Sequence, residues 1–254
     1  MNGSYGRELK INYIWEIKIA RTKGVKMKKH GKKYIQAKEK ISDIKQSKLE
    51  AIRICKDVAT AKFDESIDAS FSLGIDPKDA EQNIRSTVSL PNGTGKEVKI
   101  AVFAGGEELT DAEKAGADIV GGKELATKVA SEEKLDVDIV ISTPEMMAEV
   151  GQLGKILGPK GLMPNPKTGT VTPNVAKAVE DFKKGKIEIK NDKFGNLQMS
   201  IGKVSFDTDN LLQNFDEVIA EVLKSKPASS KGEFIKSVFI SSTMGPSIPV
   251  DINL

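Results

Sequence analysis

The residue types that usually carry out catalysis are scarce in this sequence. Its single cysteine is Cys55 and its single histidine is His30. Cys55 falls within an apolar helical pattern, which favours a thiol in the core over a nucleophile. The carboxylate pair Glu132-Glu133 and the pair Asp136 and Asp138 read as charges on a helix surface and at a strand edge. Without a nucleophile–base pair to name, we predict no catalytic residue, no metal site and no cofactor.

A second stretch that could do chemistry is rich in glycine and lysine. Residues 151–170 carry five glycines, three prolines and three lysines. This mixture is found in phosphate-binding loops, but Gly154-Lys155-Ile156 lacks the hydroxyl residue that would follow the lysine. Each proline fixes its own φ and restricts the residue before it, which excludes a long helix or a central strand. We therefore predict a shaped loop, and favour a structural turn beside a domain hinge over a nucleotide loop.

Charge is distributed unevenly along the chain. The 254 residues have a formal net charge of +3. Residues 27–62 hold eleven Lys/Arg and four Asp/Glu, a local net charge of +7, whereas residues 94–185 hold twelve and fifteen, a local net charge of −3. This asymmetry indicates that one part of the chain meets a polyanion, although a solvated lysine-rich surface would give the same count. A lone cysteine excludes an intrachain disulfide and favours a reducing compartment, and no apolar run is long enough to span a membrane.

The hydrophobic patterns predict two kinds of structure. Strand and helix alternate between residues 94 and 185, beginning with the apolar run Val98–Ala104, which is typical of βαβ units with a parallel sheet. On either side, alternating strands and amphipathic helices predict a mixed α+β structure. Ser47 and Glu50 form a capping box at the start of one helix. We also expect a short helix from Asp76-Pro77, a helix capped by Thr172-Pro173, and strand pairing between Lys186–Lys190 and Leu197–Ile201.

These patterns predict two domains. Neither flank alone offers enough elements for a core, so residues 27–93 and 186–254 are expected to form one split α+β domain. Residues 94–185 are expected to form an inserted Rossmann-like βαβ domain with a parallel sheet. Residues 1–26 are basic and lack an apolar signal core, and we expect a disordered extension from an upstream start codon. A targeting peptide, and with it an organelle location, is the alternative; Glu8 and Glu16 argue against it.

Several motifs resemble those of one known family. Residues 151–170, Gly-Gln-Leu-Gly-Lys-Ile-Leu-Gly-Pro-Lys-Gly-Leu-Met-Pro-Asn-Pro-Lys-Thr-Gly-Thr, resemble the signature of ribosomal protein L-one, the first-numbered protein of the large subunit. The similarity extends from about Lys28 to Val250. Its further segments are Ala61-Lys-Phe-Asp-Glu65, Leu73-Gly-Ile-Asp-Pro77, Gln82-Asn-Ile-Arg-Ser-Thr-Val-Ser-Leu-Pro91, Ala115-Gly-Ala-Asp-Ile-Val-Gly-Gly122 and Thr243-Met-Gly-Pro-Ser247.

The resemblance implies a function and a set of contacts. A bacterial member of this family would be a structural component of the large ribosomal subunit in the cytoplasm and would bind large-subunit ribosomal RNA. It would form the mobile stalk at the exit site, assist release of deacylated transfer RNA, and repress translation by binding its own operon messenger RNA. Carried over by motif, the RNA-binding residues would be Lys62, Phe63, Lys190, Asn191, Ser237, Thr243, Met244 and Gly245.

The alternative function is a nucleotide-dependent enzyme that uses the βαβ block. Gly105-Gly106 follows the first strand of that block, where a dinucleotide-binding glycine motif would lie. Glu107-Glu108 come next, and their carboxylates would repel a pyrophosphate. The sequence therefore favours RNA binding over nucleotide chemistry.

Overall fold

The computed structural model describes residues 31–41, 44–132, 135–230 and 232–252, so the predicted extension 1–26 lies outside it. The helices are α1 (Lys32–Glu39), α2 (Lys48–Val58), α3 (Glu107–Lys114), α4 (Lys123–Glu132), α5 (Met147–Gln152), α6 (Gly154–Lys160), α7 (Val175–Lys183) and α8 (Thr208–Lys224). The strands are β1 (Ser66–Leu73), β2 (Arg85–Ser89), β3 (Ile100–Phe103), β4 (Ile119–Gly121), β5 (Ile139–Ser142), β6 (Lys186–Lys190), β7 (Asn196–Lys203), β8 (Ile235–Ser242) and β9 (Ile248–Val250). Helix α1 and strand β9 were not predicted from the sequence.

The largest sheet is built from both flanks of the chain. Its antiparallel strand order is β7-β1-β8-β9. Every second residue of β1 is buried, because one face of the sheet packs against helices α2 and α8 in a single core. Ser47 begins α2 as predicted, with its Oγ accepting a hydrogen bond from the N–H of Glu50 at 3.3 Å.

The predicted pairing of Lys186–Lys190 with Leu197–Ile201 is wrong. Strand β6 pairs antiparallel with β2, with Arg85 opposite Lys190, and only the single bridge Asn191–Leu197 joins it to β7. Both pairings satisfy the same alternating pattern, so periodicity cannot choose between them. The turn at residues 191–196 thus connects two different sheets.

The block between residues 94 and 185 contains the predicted parallel sheet. Its order is β4-β3-β5, and all four residues of β3 are buried. Helices α4, α5 and α6 pack on one side of this sheet and α3 and α7 on the other, which gives two apolar clusters. A parallel sheet with helices on both sides, beside an antiparallel sheet, confirms the predicted α/β and α+β class.

Two chain segments connect the block to the flanking structure, and they touch at two glycines. Gly93 has φ +68° and Gly185 has φ +107°, and a Cβ on Gly185 would lie 2.5 Å from the Cα of Gly93. Asn214 of α8 secures this crossing: its Nδ2 donates to the carbonyl of Gly93 at 3.0 Å, and its Oδ1 accepts from the N–H of Asn92 at 3.1 Å. The division into two domains, with boundaries at 93/94 and 185/186, stays a prediction.

The glycine- and proline-rich stretch is only partly a loop. It contains the short helix α6, with Pro159 inside it, which ends at Gly161 in the left-handed conformation. The stretch then lies along the edge of the parallel sheet, where the N–H of Ser142 donates to the carbonyl of Thr170 at 2.9 Å. Thr168 and Thr170 are buried beside it. The stretch is therefore a structural connection, as the residue types favoured, with a helical turn that they did not reveal.

Two local predictions need correction. Residues 77–79 form a turn, and a 3-10 helix follows only at Ala80–Gln82. Helix α7 is capped by Asn174, whose Oδ1 accepts from the N–H of Lys177 at 3.2 Å, whereas the Thr172 hydroxyl accepts from the N–H of Asn174. In both cases the predicted start of a helix is off by a few residues, because several side chains in each stretch can cap a helix N-terminus.

Candidate nucleic-acid interface

Five of the eight predicted RNA-binding residues lie on two neighbouring loops at one end of the antiparallel sheet. The first loop, residues 60–65, precedes β1, and the second, residues 243–245, follows β8. Thr243 joins them: its N–H donates to the carbonyl of Ser66 and its Oγ1 accepts from the N–H of Ser66, each at 3.0 Å. Phe63 and Met244 are 57% and 63% exposed, and Lys62 is also exposed. We call Lys62, Phe63, Thr243, Met244 and Gly245 the loop group.

A buried carboxylate holds the loop group together. Glu65 is 2% exposed, and it accepts hydrogen bonds from the N–H of Ala61 at 2.8 Å and from the N–H of Met244 at 3.0 Å. Burial on its own raises the pKa of this carboxyl, but the main-chain donors of Met244 and Ala61 outweigh it and the net pKa is lowered. Glu65 therefore stays charged at neutral pH and joins the two loops through one anion.

Gly245 is required by close packing. A Cβ there would lie 2.5 Å from the Oγ of Ser242, and its φ is not in the left-handed region. Packing, and not backbone conformation, therefore selects glycine at this position. The Ser242 Oγ is buried, and this hydroxyl is one of the groups that lower the pKa of Glu65. Any larger residue at 245 would have to displace this hydroxyl or the turn.

The other three predicted residues lie at the opposite end of the sheet. β1 runs eight residues between the two ends, which at about 3.3 Å per residue is roughly 25 Å. Lys190 is exposed there and Ser237 is half-buried. The Asn191 side chain is engaged within the protein: its Oδ1 accepts from the N–H of Ile84 at 2.9 Å and its Nδ2 donates to Asn83 and to the carbonyl of Asp192. Asn191 thus has a structural role in joining β6 to the start of β2.

Among the described residues, no helix covers the outer face of the antiparallel sheet, and this face connects the two ends. Helices α2 and α8 cover the inner face only, and the strand register sets the outward residues in three rows. These rows are Ser200-Asp68-Ser241, Gln198-Ser70-Phe239 and Asn196-Ser72-Ser237. Their side chains are half-buried or exposed, and Phe239 is 37% exposed. We call these nine residues the open face.

The open face carries one acidic side chain. Asp68 is partly buried, which raises the pKa of its carboxyl, and the neighbouring Ser200 hydroxyl offsets part of that effect. Small hydroxyl side chains surround it, so the main chain of the sheet lies close to the surface. A flat polar face of this kind fits the riboses and shallow minor groove of folded RNA better than a small-molecule pocket.

Comparison with known proteins identifies the family. A model of the ribosomal protein L1p/L10e family matches residues 55–246. The chain belongs to this family. Large ribosomal subunit protein uL1 of Fervidobacterium nodosum is 50% identical over 229 residues, which are 90% of this chain and 97% of that protein. The proteins of the same name from Thermosipho africanus and Thermosipho melanesiensis are each 52% identical over 226 residues, 89% of this chain and 97% of each relative.

Membership of the L1p/L10e family confirms the resemblance seen in the sequence motifs. It makes the chain a bacterial-type ribosomal protein and not an enzyme, and it sets aside the nucleotide-dependent alternative. Within the residues that the structure describes, no three His, Cys, Asp or Glu side chains are placed to hold a metal ion. Nor is any helix in those ranges both long and apolar enough to cross a membrane.

Sequence reasoning about this L1p/L10e protein missed Glu65 and most of the open face. A signal for the face was present, since Ser66, Asp68, Ser70 and Ser72 alternate with apolar residues and are all small and polar. The alternation was interpreted only as a half-buried strand. Glu65 gave a weaker signal, an acid directly before that strand. Its partner N–H on Met244 is 179 residues away in the chain, which only the fold could reveal.

Proposed function

We propose that this chain is a structural protein of the large ribosomal subunit that binds large-subunit ribosomal RNA through the open face and the loop group. The observation that carries this proposal is the loop group itself, in which Lys62, Phe63 and Met244 are exposed on loops fixed by Glu65. Exposed apolar side chains on a rigid support favour a partner that covers them. The family membership makes RNA the partner to test first.

The residue types suit folded RNA. Lysine ammonium groups neutralise phosphates and release counterions, which makes binding depend on salt. Hydroxyls such as those of Ser237 and Thr243 can exchange hydrogen bonds with ribose 2′-hydroxyls, which distinguish RNA from DNA. Phe63 and Met244 offer apolar surface to sugars or to the faces of unstacked bases. Gly245 allows the turn that carries Met244 to pack closely on Ser242.

The finer roles rest on the family resemblance. We infer that the protein forms the mobile stalk at the exit site, assists release of deacylated transfer RNA, and represses its own operon messenger RNA through an RNA site that mimics the ribosomal one. Only two chain connections, at Gly93 and Gly185, join the inserted block to the flanking structure, and this supports a mobile stalk because relative motion is the default for domains connected in this way. The relatives are bacterial ribosomal proteins, so the proposed location is the cytoplasmic ribosome.

Affinity measured against salt for protein-free large-subunit ribosomal RNA tests the proposal. Thr243→Ala should weaken binding by about fivefold without changing the salt slope, because it removes a neutral hydrogen bond worth roughly 1 kcal/mol. The change also removes the bond between the Thr243 hydroxyl and the N–H of Ser66, so the folding of the variant is checked first. Lys62→Ala should weaken binding and reduce the slope by about one unit if Lys62 meets a phosphate. Lys224→Ala is the matched control, since Lys224 lies at the end of α8 on the opposite side of the sheet.

The outcomes separate the parts of the proposal. The proposed function would be overturned if the wild-type chain bound weakly and showed no preference for ribosomal RNA at moderate salt. Wild-type affinity in Thr243→Ala and Lys62→Ala would place the interface elsewhere. Binding of the operon messenger RNA in competition with ribosomal RNA would support the repressor role, and independent binding of the two RNAs would contradict a shared site.

A further inference from the structure

The turn that joins β6 to β7 is held in one shape by Asp192. Its Oδ1 accepts hydrogen bonds from the N–H groups of Phe194 and Asn196, both at 2.8 Å, and its Oδ2 accepts from Nδ2 of Asn196 at 3.2 Å. The main-chain donor of Asn196 is the largest cause of a lowered pKa for Asp192. Gly195 supplies the left-handed φ of +80° that closes the turn. The turn is therefore rigid at neutral pH.

This rigid turn is also fixed to the sheet. The N–H of Leu73, the last residue of β1, donates to the carbonyl of Gly195 at 3.0 Å. A Cβ on Gly195 would lie 3.2 Å from the side chain of Ile75, which shows how closely the turn packs on the chain after β1. The position of residue 194 is consequently set by the fold.

Phe194 projects from this support into solvent. Its ring is 84% exposed, the highest value for a large apolar side chain in the described ranges. The fold does not bury it, and the rigid main chain beneath it leaves little loop entropy to lose when a partner covers it. An aromatic ring presented in this way is a preorganised contact surface.

The surroundings of Phe194 indicate the chemistry of its partner. Lys190 and Lys193, which both precede it in the sequence, are exposed. The one acid of the turn, Asp192, is occupied by main-chain donors. Asn196 lies in the same open-face row as Ser72 and Ser237, so the turn continues that face. Cations beside an exposed aromatic ring fit a polyanion with flat apolar faces, which describes single-stranded nucleic acid.

We propose that Phe194 is a stacking platform for an unpaired base of the ribosomal RNA, with Lys193 on an adjacent phosphate. This inference rests on the proposed function and adds a second contact point to it. The turn lies at the far end of β1 from the loop group, roughly 25 Å away. The stacked base therefore comes from a different part of the folded RNA than the nucleotides that meet Met244. Stacking selects for an unpaired nucleotide at that distance, whatever its identity, because every base has a π face.

Four substitutions test the platform, with large-subunit ribosomal RNA of Thermosipho africanus as the probe. Phe194→Ser should lower the affinity by about 5- to 100-fold, the range measured for loss of one stacked base, with an unchanged salt slope. Phe194→Trp should restore the affinity, because it keeps a π face, whereas Phe194→Leu should recover only part of it. Lys193→Ala should reduce the salt slope by about one unit. Leu223→Ser on α8, an exposed apolar residue on the other side of the sheet, is the control and should bind like wild type.

Fluorescence gives an independent measurement. Phe194→Trp should show quenching on RNA binding beyond that of the wild-type chain, whose single tryptophan is Trp15. Equal affinity of Phe194→Ser and wild type, with no extra quenching in Phe194→Trp, would overturn the platform while leaving the proposed function intact. Failure of the wild-type chain to bind the RNA would overturn both. Loss of ribosome incorporation by Phe194→Ser with unchanged RNA affinity would assign the ring to a protein partner instead.

Discussion

Replacing Glu65 by Gln tests whether one buried carboxylate organises the loop group. The carboxylate accepts from two main-chain N–H groups, of Ala61 at 2.8 Å and of Met244 at 3.0 Å. Glutamine has the same shape but only one acceptor oxygen, so one N–H would face the amide NH₂ and lose its partner. A hydrogen bond to a charged group contributes about 1.5–3 kcal/mol, and at a site this buried water cannot replace it. We expect Glu65→Gln to lower the free energy of unfolding by about 2 kcal/mol at pH 7.

The same variant should bind ribosomal RNA several-fold more weakly, because residues 243–245 lose their tie to residues 60–65. The stability loss should also depend on pH. The folded state lowers the pKa of Glu65 and therefore binds fewer protons than the unfolded state. The stabilisation is present above the unfolded-state pKa and is lost as the pH falls through the folded-state pKa. The difference between wild type and variant should therefore shrink on acidification.

Urea unfolding at several pH values, with RNA affinity at pH 7, measures both effects. Glu217→Gln is the matched control, since Glu217 is exposed on α8 and the change removes the same charge. Equal stability of Glu65→Gln and wild type at neutral pH would refute the reasoning. So would a stability difference that grows as the pH falls.

Three further predictions concern the rest of the molecule. Asn214→Ala should lower the free energy of unfolding, measured by urea titration, by about 2–4 kcal/mol, because the fully buried side-chain amide forms hydrogen bonds with Gly93, Ile201 and Asn92. A loss below about 0.5 kcal/mol would contradict a role in securing the crossing. The Cys55 thiol should resist a disulfide reagent at pH 8 in the folded protein and react at once in urea, since burial raises its pKa to about 12. Fast reaction of the thiol in the folded protein would contradict its buried position. Spin labels can be placed on cysteines introduced at Ser131 and Glu217, because burial protects Cys55 from labelling. If the inserted block moves about the Gly93–Gly185 crossing, the distances between the two labels should fall into more than one population. A single narrow distance would refute hinge motion.

The sequence by itself determined most of the elements and the class of this fold. Alternation in residues 66–73, the apolar run before Ala104 and the capping box at Ser47 are local patterns, and each is set by which face of one element is buried. The twenty consecutive residues 151–170 likewise identified the family without any knowledge of the fold. These inferences needed only neighbours along the chain.

The tertiary structure decided which elements meet. Lys186–Lys190 could pair with either of two strands, and only packing of the whole core placed it against β2. The sequence motifs gave eight candidate RNA contacts but no arrangement in space, and strand register separates the loop group from Ser237 by the length of β1. Register is a relation between residues far apart in sequence, so no local pattern contains it. For the same reason the bond from Met244 to Glu65, and the nine-residue face between the two ends, became visible only in the folded chain.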